Sequence, residues 1–291
     1  MGSIPISTTN IAGWRRWYLI SLDIRMKKYE YVTRTYLVRR TPVIIRLDGK
    51  AFHTFTRGFK KPFDEVLVNA MQKTMKYLCE NIQGCVLGYT QSDEITLVLV
   101  DYKKLDSAAW FDYNIQKCVS VAASMATLAF NRAFAEEFDK WGSENFPDWD
   151  MGGTNAPVDK ELLKLCQTYG NAQTKGAMFD ARVFNIPKEE VCNCVLWRQN
   201  DATRNSIEMV GQAHFSQSQL HKKTCNQIQD MLMLEKGINW NNVPTHLKRG
   251  SCCVRNVDNE TGRSKWIIDT EIPIFKGEGR KYIDNLICIG E

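Results

Sequence analysis

Three short runs of β-branched and apolar residues, with one helix-length segment between the first two, constrain the fold of this chain most strongly. The runs occupy residues 43–48, 85–90 and 95–100, and each is bounded by glycine, proline or polar residues. Apolar residues recur at helical spacing across residues 64–82, which predicts a helix with one buried face. The order is therefore strand, helix, strand, strand, and the last two strands form a hairpin.

The remaining sequence predicts more helices and three further strands. An alanine-rich stretch predicts a long helix, and a glycine- and asparagine-rich connection holds one short helix. Further on, a strand, two helices and a second hairpin that turns at residues 258–262 are expected. These helices are predicted over residues 108–137, 159–169, 189–215 and 218–236, and these strands over residues 179–184, 250–255 and 264–268.

Composition is typical of a globular protein. The chain has 291 residues, 44% hydrophobic and 24% charged, which suits one large domain or a domain with an appendage. No run of 18 apolar residues and no secretory signal is present, so we expect a cytoplasmic protein with no membrane span. The ten cysteines have no regular spacing, which favours reduced thiols over a disulfide framework.

Two carboxylates stand at the ends of predicted strands. Asp48 ends the first strand and precedes Gly49, and Asp93 lies in the turn of the hairpin. Both aspartates meet if the first strand pairs with the hairpin, and Mg²⁺ prefers such carboxylate oxygens together with substrate phosphates. Aspartate is also common in turns and helix caps, so a purely structural role stays open.

The segment after Asp48 offers groups that suit a polyphosphate. Residues 49–53 supply backbone amides, a lysine, an aromatic ring and an imidazole, and Lys61 precedes the next helix. The alternative is an ordinary loop, in which Phe52 packs in the core and His53 faces solvent.

Basic residues elsewhere leave the partner open. The net charge of +5 is a mild excess that permits an anionic partner without requiring one. Arg198 and Arg204 on a predicted helix suit phosphate binding, although a salt-bridged helix face explains them equally well. The chain has no P-loop motif and no dinucleotide-binding glycine motif.

Four short motifs together resemble one enzyme family. They are RLDGKAFH (46–53), KPFD (61–64), YTQSDE (89–94) and WRQND (197–201), and they occur in one order at plausible spacings. In this combination the chain resembles the tRNA-His guanylyltransferase family, including its bacterial and phage-type relatives.

The resemblance implies an α+β fold. Its centre is a polymerase-like palm, a βαββ antiparallel sheet flanked by helices, with a C-terminal region of helices and a hairpin that packs on the palm. The implied division is an N-terminal extension over residues 1–22, a catalytic palm over residues 23–185 and the C-terminal region over residues 186–291.

The resemblance also implies the site. Asp48, Asp93 and Glu94 would be catalytic, and Asp48, Asp93 and the carbonyl of Gly49 would hold two Mg²⁺ ions. RNA or a second nucleotide would contact Arg198, Asn205 and Lys222. The nucleotide would be bound by Asp48, Gly49, Lys50, Ala51, Phe52, His53, Ser92, Asp93, Lys61 and Asp64.

The implied reaction is nucleotide addition to the 5′ end of tRNA, with GTP and ATP as substrates and a homotetramer as the assembly. Eukaryotic members carry His-Ile-Asn-Asn where this chain has residues 203–206, and only Asn205 is kept in register. This departure favours the branch that repairs incomplete 5′ ends against a template. A non-catalytic RNA-binding palm protein and a palm-type nucleotide cyclase remain the alternatives.

Overall fold

One antiparallel sheet organises the molecule. The structure, a computed structural model, describes residues 21–147, 159–257 and 263–288. The six strands lie in the order β4-β1-β3-β2-β5-β6, and every neighbouring pair is antiparallel. The strands are β1 (Val43–Gly49), β2 (Cys85–Gln91), β3 (Glu94–Leu99), β4 (Phe179–Asn185), β5 (Ser251–Val257) and β6 (Ser264–Asp269).

Helices pack on both faces of this sheet. The α-helices are α1 (Leu22–Val32), α2 (Phe52–Phe55), α3 (Glu65–Asn81), α4 (Ile115–Asn145), α5 (Lys160–Lys175), α6 (Val191–His214), α7 (Gln217–Leu220), α8 (Cys225–Lys236), α9 (Thr245–Arg249) and α10 (Lys281–Asp284). Short 3-10 segments cover Trp110–Tyr113, Lys188–Glu190, Trp240–Asn242 and Gly277–Arg280. The α+β fold expected from the sequence is confirmed.

Alternation along β1 divides the interior between the two faces. Ile45 and Leu47 point into the larger core, which α3 and α4 cover. Ile44 points to the opposite face and joins a second core beneath α6. Arg46 and Asp48 follow Ile44 at two-residue intervals, so they lie on the α6 face.

Three helices differ from the sequence predictions, and the long one also ends at residue 145 rather than 137. The long helix begins at residue 115 rather than 108, because three consecutive left-handed residues, 111–113, precede its cap Asn114. The short helix continues to residue 175. The single helix predicted over residues 218–236 is wrong: Lys222 has a φ of 59°, which separates α7 from α8.

The C-terminal hairpin continues the sheet of the N-terminal part. Strand β5 pairs with β2 and β6 pairs with β5, so residues on both sides of position 185 share one sheet. The turn expected at residues 258–262 and the extension before residue 21 lie outside the described residues. The division at residues 185 and 186 stays a prediction.

Helix α4 is the one helix among the described ranges that is long and apolar enough to cross a bilayer. Part of its apolar surface is the face that packs on α3 and β4, where Ala122, Ala126 and Phe130 are completely buried. Burial in the protein core therefore accounts for these apolar residues.

Asp64 anchors the start of α3, the helix that supports the hairpin. Its buried carboxylate accepts hydrogen bonds from the backbone of Lys60 at 2.9 Å and of Leu67 at 3.0 Å, and from the Tyr169 hydroxyl at 2.6 Å. These three donors explain the burial of this acid without any ligand.

We expect Asp64→Ala to lower the free energy of unfolding by about 2–3 kcal/mol, because it removes a helix cap and leaves buried donors unpaired. Tyr169→Phe is the milder control and should lower it by about 1 kcal/mol. Urea denaturation measures both. An unchanged stability of Asp64→Ala would contradict the capping role.

Candidate active site

The pairing of β1 with β3 brings the two predicted carboxylates together. Asp48 lies directly opposite Glu94 in the register of the two strands. The backbone amide of Gly49 donates a hydrogen bond of 3.1 Å to the carbonyl oxygen of Asp93. Asp48 and Asp93 therefore share one end of the sheet, as the sequence predicted.

Burial and charge act together on Asp93. Burial is the main factor that raises the pKa of this carboxyl above its usual value, and the neighbouring charge of Asp48 raises it further. The Ser92 hydroxyl, which donates to Asp93 Oδ1 at 3.0 Å, and His53 partly oppose this rise in pKa. His53 thus lies close enough to Asp93 to affect its ionisation.

Asp48 has no partner for its charge among the side chains that the structure describes. Within the described ranges, its carboxylate makes neither a side-chain hydrogen bond nor an ion pair. Like charges directly opposite each other in a sheet are unfavourable, and Glu94 stands opposite Asp48. A cation at this position would relieve the repulsion.

Gly49 is required by a close approach of an aromatic ring. A Cβ at this position would lie 2.2 Å from the ring of Phe52. That ring is fixed by packing against Phe55, Phe130 and Phe179, so it has little freedom to move away. The carbonyl of Gly49 is consequently not shielded by a side chain of its own.

The same ring corrects one sequence expectation. Phe52 is 4% exposed and belongs to the core on the α3 side, so its aromatic face does not line the site. The alternative noted from the sequence, a core phenylalanine, is the correct one. Lys50, Ala51 and His53 are exposed in the same turn, where Ala51 adopts a left-handed φ of 55°.

Glu94 and Arg198 form a buried ion pair. Arg198 Nε lies 2.7 Å from Glu94 Oε1, and Arg198 Nη2 lies 2.7 Å from Asp201 Oδ2. Burial raises the pKa of Glu94, while the charges of Arg198 and Arg46 oppose that rise. Arg198 therefore connects α6 to the sheet and is engaged by two carboxylates.

Asn205 and Ser92 line one small cavity between α3, β2 and α6. The volume of this cavity is about 90 Å³. Pockets that enclose a whole ligand usually have at least about 300 Å³. The cavity is thus large enough for part of a nucleotide only, and Asp64 reaches its wall as the helix cap described above.

Lys61 and Lys222 meet in a different place. Both line an open groove beside α6 and α7, together with His221 and Lys223. Glu208 is the acidic residue among the groove's lining side chains. The predicted site residues therefore fall into a carboxylate end, a small cavity and a basic groove.

The sequence assigned no role to three residues of this region: Arg46, Trp197 and Asp180. Arg46 lies over the ring of Trp197 at 5.4 Å, and Arg198 lies over the same ring at 4.3 Å. Asp180 on β4 stands directly opposite Asp48. Alternation along β1 could have placed Arg46 on the Asp48 face, but the pairing of β4 was needed to find Asp180.

Comparison with known proteins identifies relatives of the chain. The family model described as tRNAHis guanylyltransferase matches residues 23–187. The tRNA(His) guanylyltransferase of Schizosaccharomyces pombe is 28% identical over 249 residues, which cover 81% of this chain and 81% of that protein. The enzyme of Saccharomyces cerevisiae is 25% identical over 78% of this chain and 87% of its own length.

Two solved structures match nearly the whole chain. A bacterial tRNA(His) guanylyltransferase-like protein in complex with ATP has a TM-score of 0.73 and 40% identity, with 93% of this chain and 100% of that chain covered. A bacterial protein of the same description in complex with GTP has a TM-score of 0.70 and 36% identity, with 92% and 99% covered.

We expect Arg198→Met to lower the free energy of unfolding by about 3 kcal/mol, because it leaves Glu94 buried without its counter-charge. Guanidinium denaturation provides the measurement. The double variant Arg198→Met/Glu94→Gln should recover part of this loss, since the unpaired charge is then removed. Equal losses in the single and double variants would argue against the pair.

Proposed function

The chain belongs to the tRNA-His guanylyltransferase family, and from this premise we propose that it adds nucleotides to the 5′ end of tRNA in the 3′-to-5′ direction. Members of this family are nucleotidyltransferases. The observation that carries the proposal is the meeting of Asp48 and Asp93 at one end of the sheet.

The residues at this end fit Mg²⁺. Asp48 lacks a protein counter-charge within the described ranges, and Gly49 has no side chain of its own beside its carbonyl. Mg²⁺ is usually held by one or two carboxylates together with substrate phosphates and water, so no complete protein cage is required. Asp48, Asp93 and the Gly49 carbonyl would hold two such ions. When bound, Mg²⁺ lowers the pKa of an attacking hydroxyl and neutralises charge on phosphates.

The chain's own groups bind and orient the nucleotide. Lys50 and His53 project from the turn beside Asp93, where a triphosphate needs positive charge and hydrogen-bond donors. The backbone of residues 51–53 contributes amides, because those of Gly49 and Lys50 already donate to the carbonyls of Asp93 and Met178. The Phe52 ring fixes the turn from below. Ser92 remains close to Asp93 and presents its hydroxyl from the hairpin turn.

The RNA would approach along the basic groove. Lys61 and Lys222 line this groove, and their charges suit a phosphate backbone. Asn205, in the cavity beside Ser92, suits contact with part of a second nucleotide. We propose that Arg198 acts by fixing Glu94 and Trp197, because both carboxylate contacts already engage its guanidinium.

The reaction has two steps in this proposal. In the first step, an oxygen of the RNA 5′ phosphate attacks the α-phosphorus of a nucleoside triphosphate, so that pyrophosphate leaves and the nucleoside monophosphate stays joined to the RNA through a phosphoanhydride bond. The 3′ hydroxyl of an incoming nucleotide then attacks the activated or triphosphorylated end, so that a phosphodiester bond forms, AMP or pyrophosphate leaves and the hydroxyl proton passes to solvent. The protein mainly has to hold the oxygens in line.

Residues 203–206 favour templated addition. Only Asn205 of the eukaryotic His-Ile-Asn-Asn pattern is kept, so we propose repair of incomplete 5′ ends by base pairing. A cytoplasmic location and a homotetramer complete the proposal; the first rests on the sequence and the second on the family resemblance.

The decisive assay measures nucleotide incorporation into full-length and 5′-shortened tRNA, with matched or mismatched bases on the opposite acceptor strand. We expect efficient addition to the shortened tRNA where the incoming base can pair, and poor addition at mismatches. Addition of guanylate regardless of the opposite base would contradict templating. Product formed from triphosphate without RNA would indicate a cyclase, and RNA binding without incorporation would indicate a binding protein.

We expect Asp48→Asn and Asp93→Asn to abolish incorporation, because each removes a charged ligand for Mg²⁺. Without metal, Asp48→Asn should unfold at a temperature equal to or above that of the wild type, because repulsion with Glu94 is relieved. Mg²⁺ should raise the unfolding temperature of the wild type more than that of the variant. Near wild-type incorporation by either variant would refute the metal assignment.

A further inference from the structure

A third carboxylate lies beside Asp48 on the edge strand. Asp180 of β4 is directly opposite Asp48, and Glu94 of β3 is opposite Asp48 on its other side. Directly opposed residues of antiparallel strands point to the same face of a sheet, with Cβ atoms about 4.5–5.5 Å apart. Asp180, Asp48 and Glu94 therefore form a row across three neighbouring strands.

Positive charge compensates this row unevenly. Glu94 is paired with the buried Arg198 at 2.7 Å. Asp180 has Arg182 Nη2 at 3.7 Å, but the two side chains are 57% and 51% exposed. An ion pair this exposed contributes little, because water screens it. Asp48 and Asp180 are thus held close to each other by strand pairing, and within the described ranges neither has a strong protein counter-charge.

We propose that Asp180 is a positioning residue for the metal that the proposed function places at Asp48 and Asp93, and this inference rests on that function. Within the described ranges, no three acidic, histidine or cysteine side chains converge as a ready-made metal cage. Mg²⁺ keeps several of its waters when it binds proteins. Asp180 accordingly accepts a hydrogen bond from a metal-bound water and contributes its charge from β4.

This arrangement gives the edge strand a function. Strand β4 is the outermost strand beside β1, and the exposed side chain of Asp180 leaves this side of the site open to solvent and substrate. Hydrogen-bonding partners of a metal's direct ligands and waters orient them, and their removal typically weakens metal affinity by about 10- to 100-fold.

A competing explanation is that Asp180 only orients Arg182, which would then bind a phosphate. The two explanations predict different metal affinities, measured without nucleotide, for variants that neutralise Asp180 or Arg182. Loss of Arg182 removes a positive charge near the metal and should leave metal affinity unchanged or improved. Loss of the Asp180 charge should weaken it.

The test is Mn²⁺ binding to the full chain, followed by the electron paramagnetic resonance signal of free Mn²⁺. We expect Asp180→Asn to raise the apparent Kd for Mn²⁺ about tenfold. Arg182→Gln should show no such increase, and Glu189→Gln, an equal charge change beyond the other end of β4, should bind like the wild type. Wild-type Mn²⁺ affinity in Asp180→Asn, or an equal loss in Arg182→Gln, would overturn the proposal.

A second measurement separates this inference from the proposed function. Incorporation by Asp180→Asn should be low at limiting Mg²⁺ and should approach the wild-type rate at high Mg²⁺, since the direct ligands remain. Incorporation that stays lost at every Mg²⁺ concentration would overturn the positioning role. If the wild type incorporates nothing, the proposed function fails, while the Mn²⁺ titration still decides the role of Asp180. Circular dichroism of Asp180→Asn establishes that the variant is folded.

Discussion

The hydrogen-bonded register between β1 and β3 is the constraint on which the site depends. It fixes Asp48 opposite Glu94 and places the backbone of Asp93 against Gly49. Side chains of like charge would separate if they were free, so the strand ladder has to hold them together. A shift of one residue in this register would move Asp48 from the α6 face of the sheet to the α3 face.

The two cores secure this register from opposite sides. On the α3 face, the rings of Phe52, Phe55 and Phe130 pack together beneath the turn that follows Gly49. On the other face, Arg198 of α6 pairs with Glu94. The turn and the hairpin tip are therefore held by separate elements. This arrangement suits a site whose work is positioning and charge stabilisation.

The sequence predicted the parts of the fold that depend on local pattern. The β-branched runs gave β1, β2 and β3, helical spacing gave α3, and strand ends gave Asp48 and Asp93. Helix α4 starts late because residues 111–113 adopt left-handed φ values although none of them is glycine. A local sequence pattern does not reveal such a conformation. Phe52 packs in the core instead of facing a ligand, because aromatic residues distant in sequence surround its ring. A local pattern could not show this. Asp180 becomes a neighbour of Asp48 only through pairing between strands far apart in sequence.

Anomalous scattering from crystals grown with Mn²⁺ and a non-hydrolysable GTP analogue would show whether Asp48 and Asp93 bind the metal together. We expect Mn²⁺ to be coordinated by carboxylate oxygens of Asp48 and Asp93, by the carbonyl of Gly49 and by phosphate oxygens of the analogue. Nucleotide bound with no Mn²⁺ between these two carboxylates, or with Mn²⁺ held elsewhere in the molecule, would contradict it.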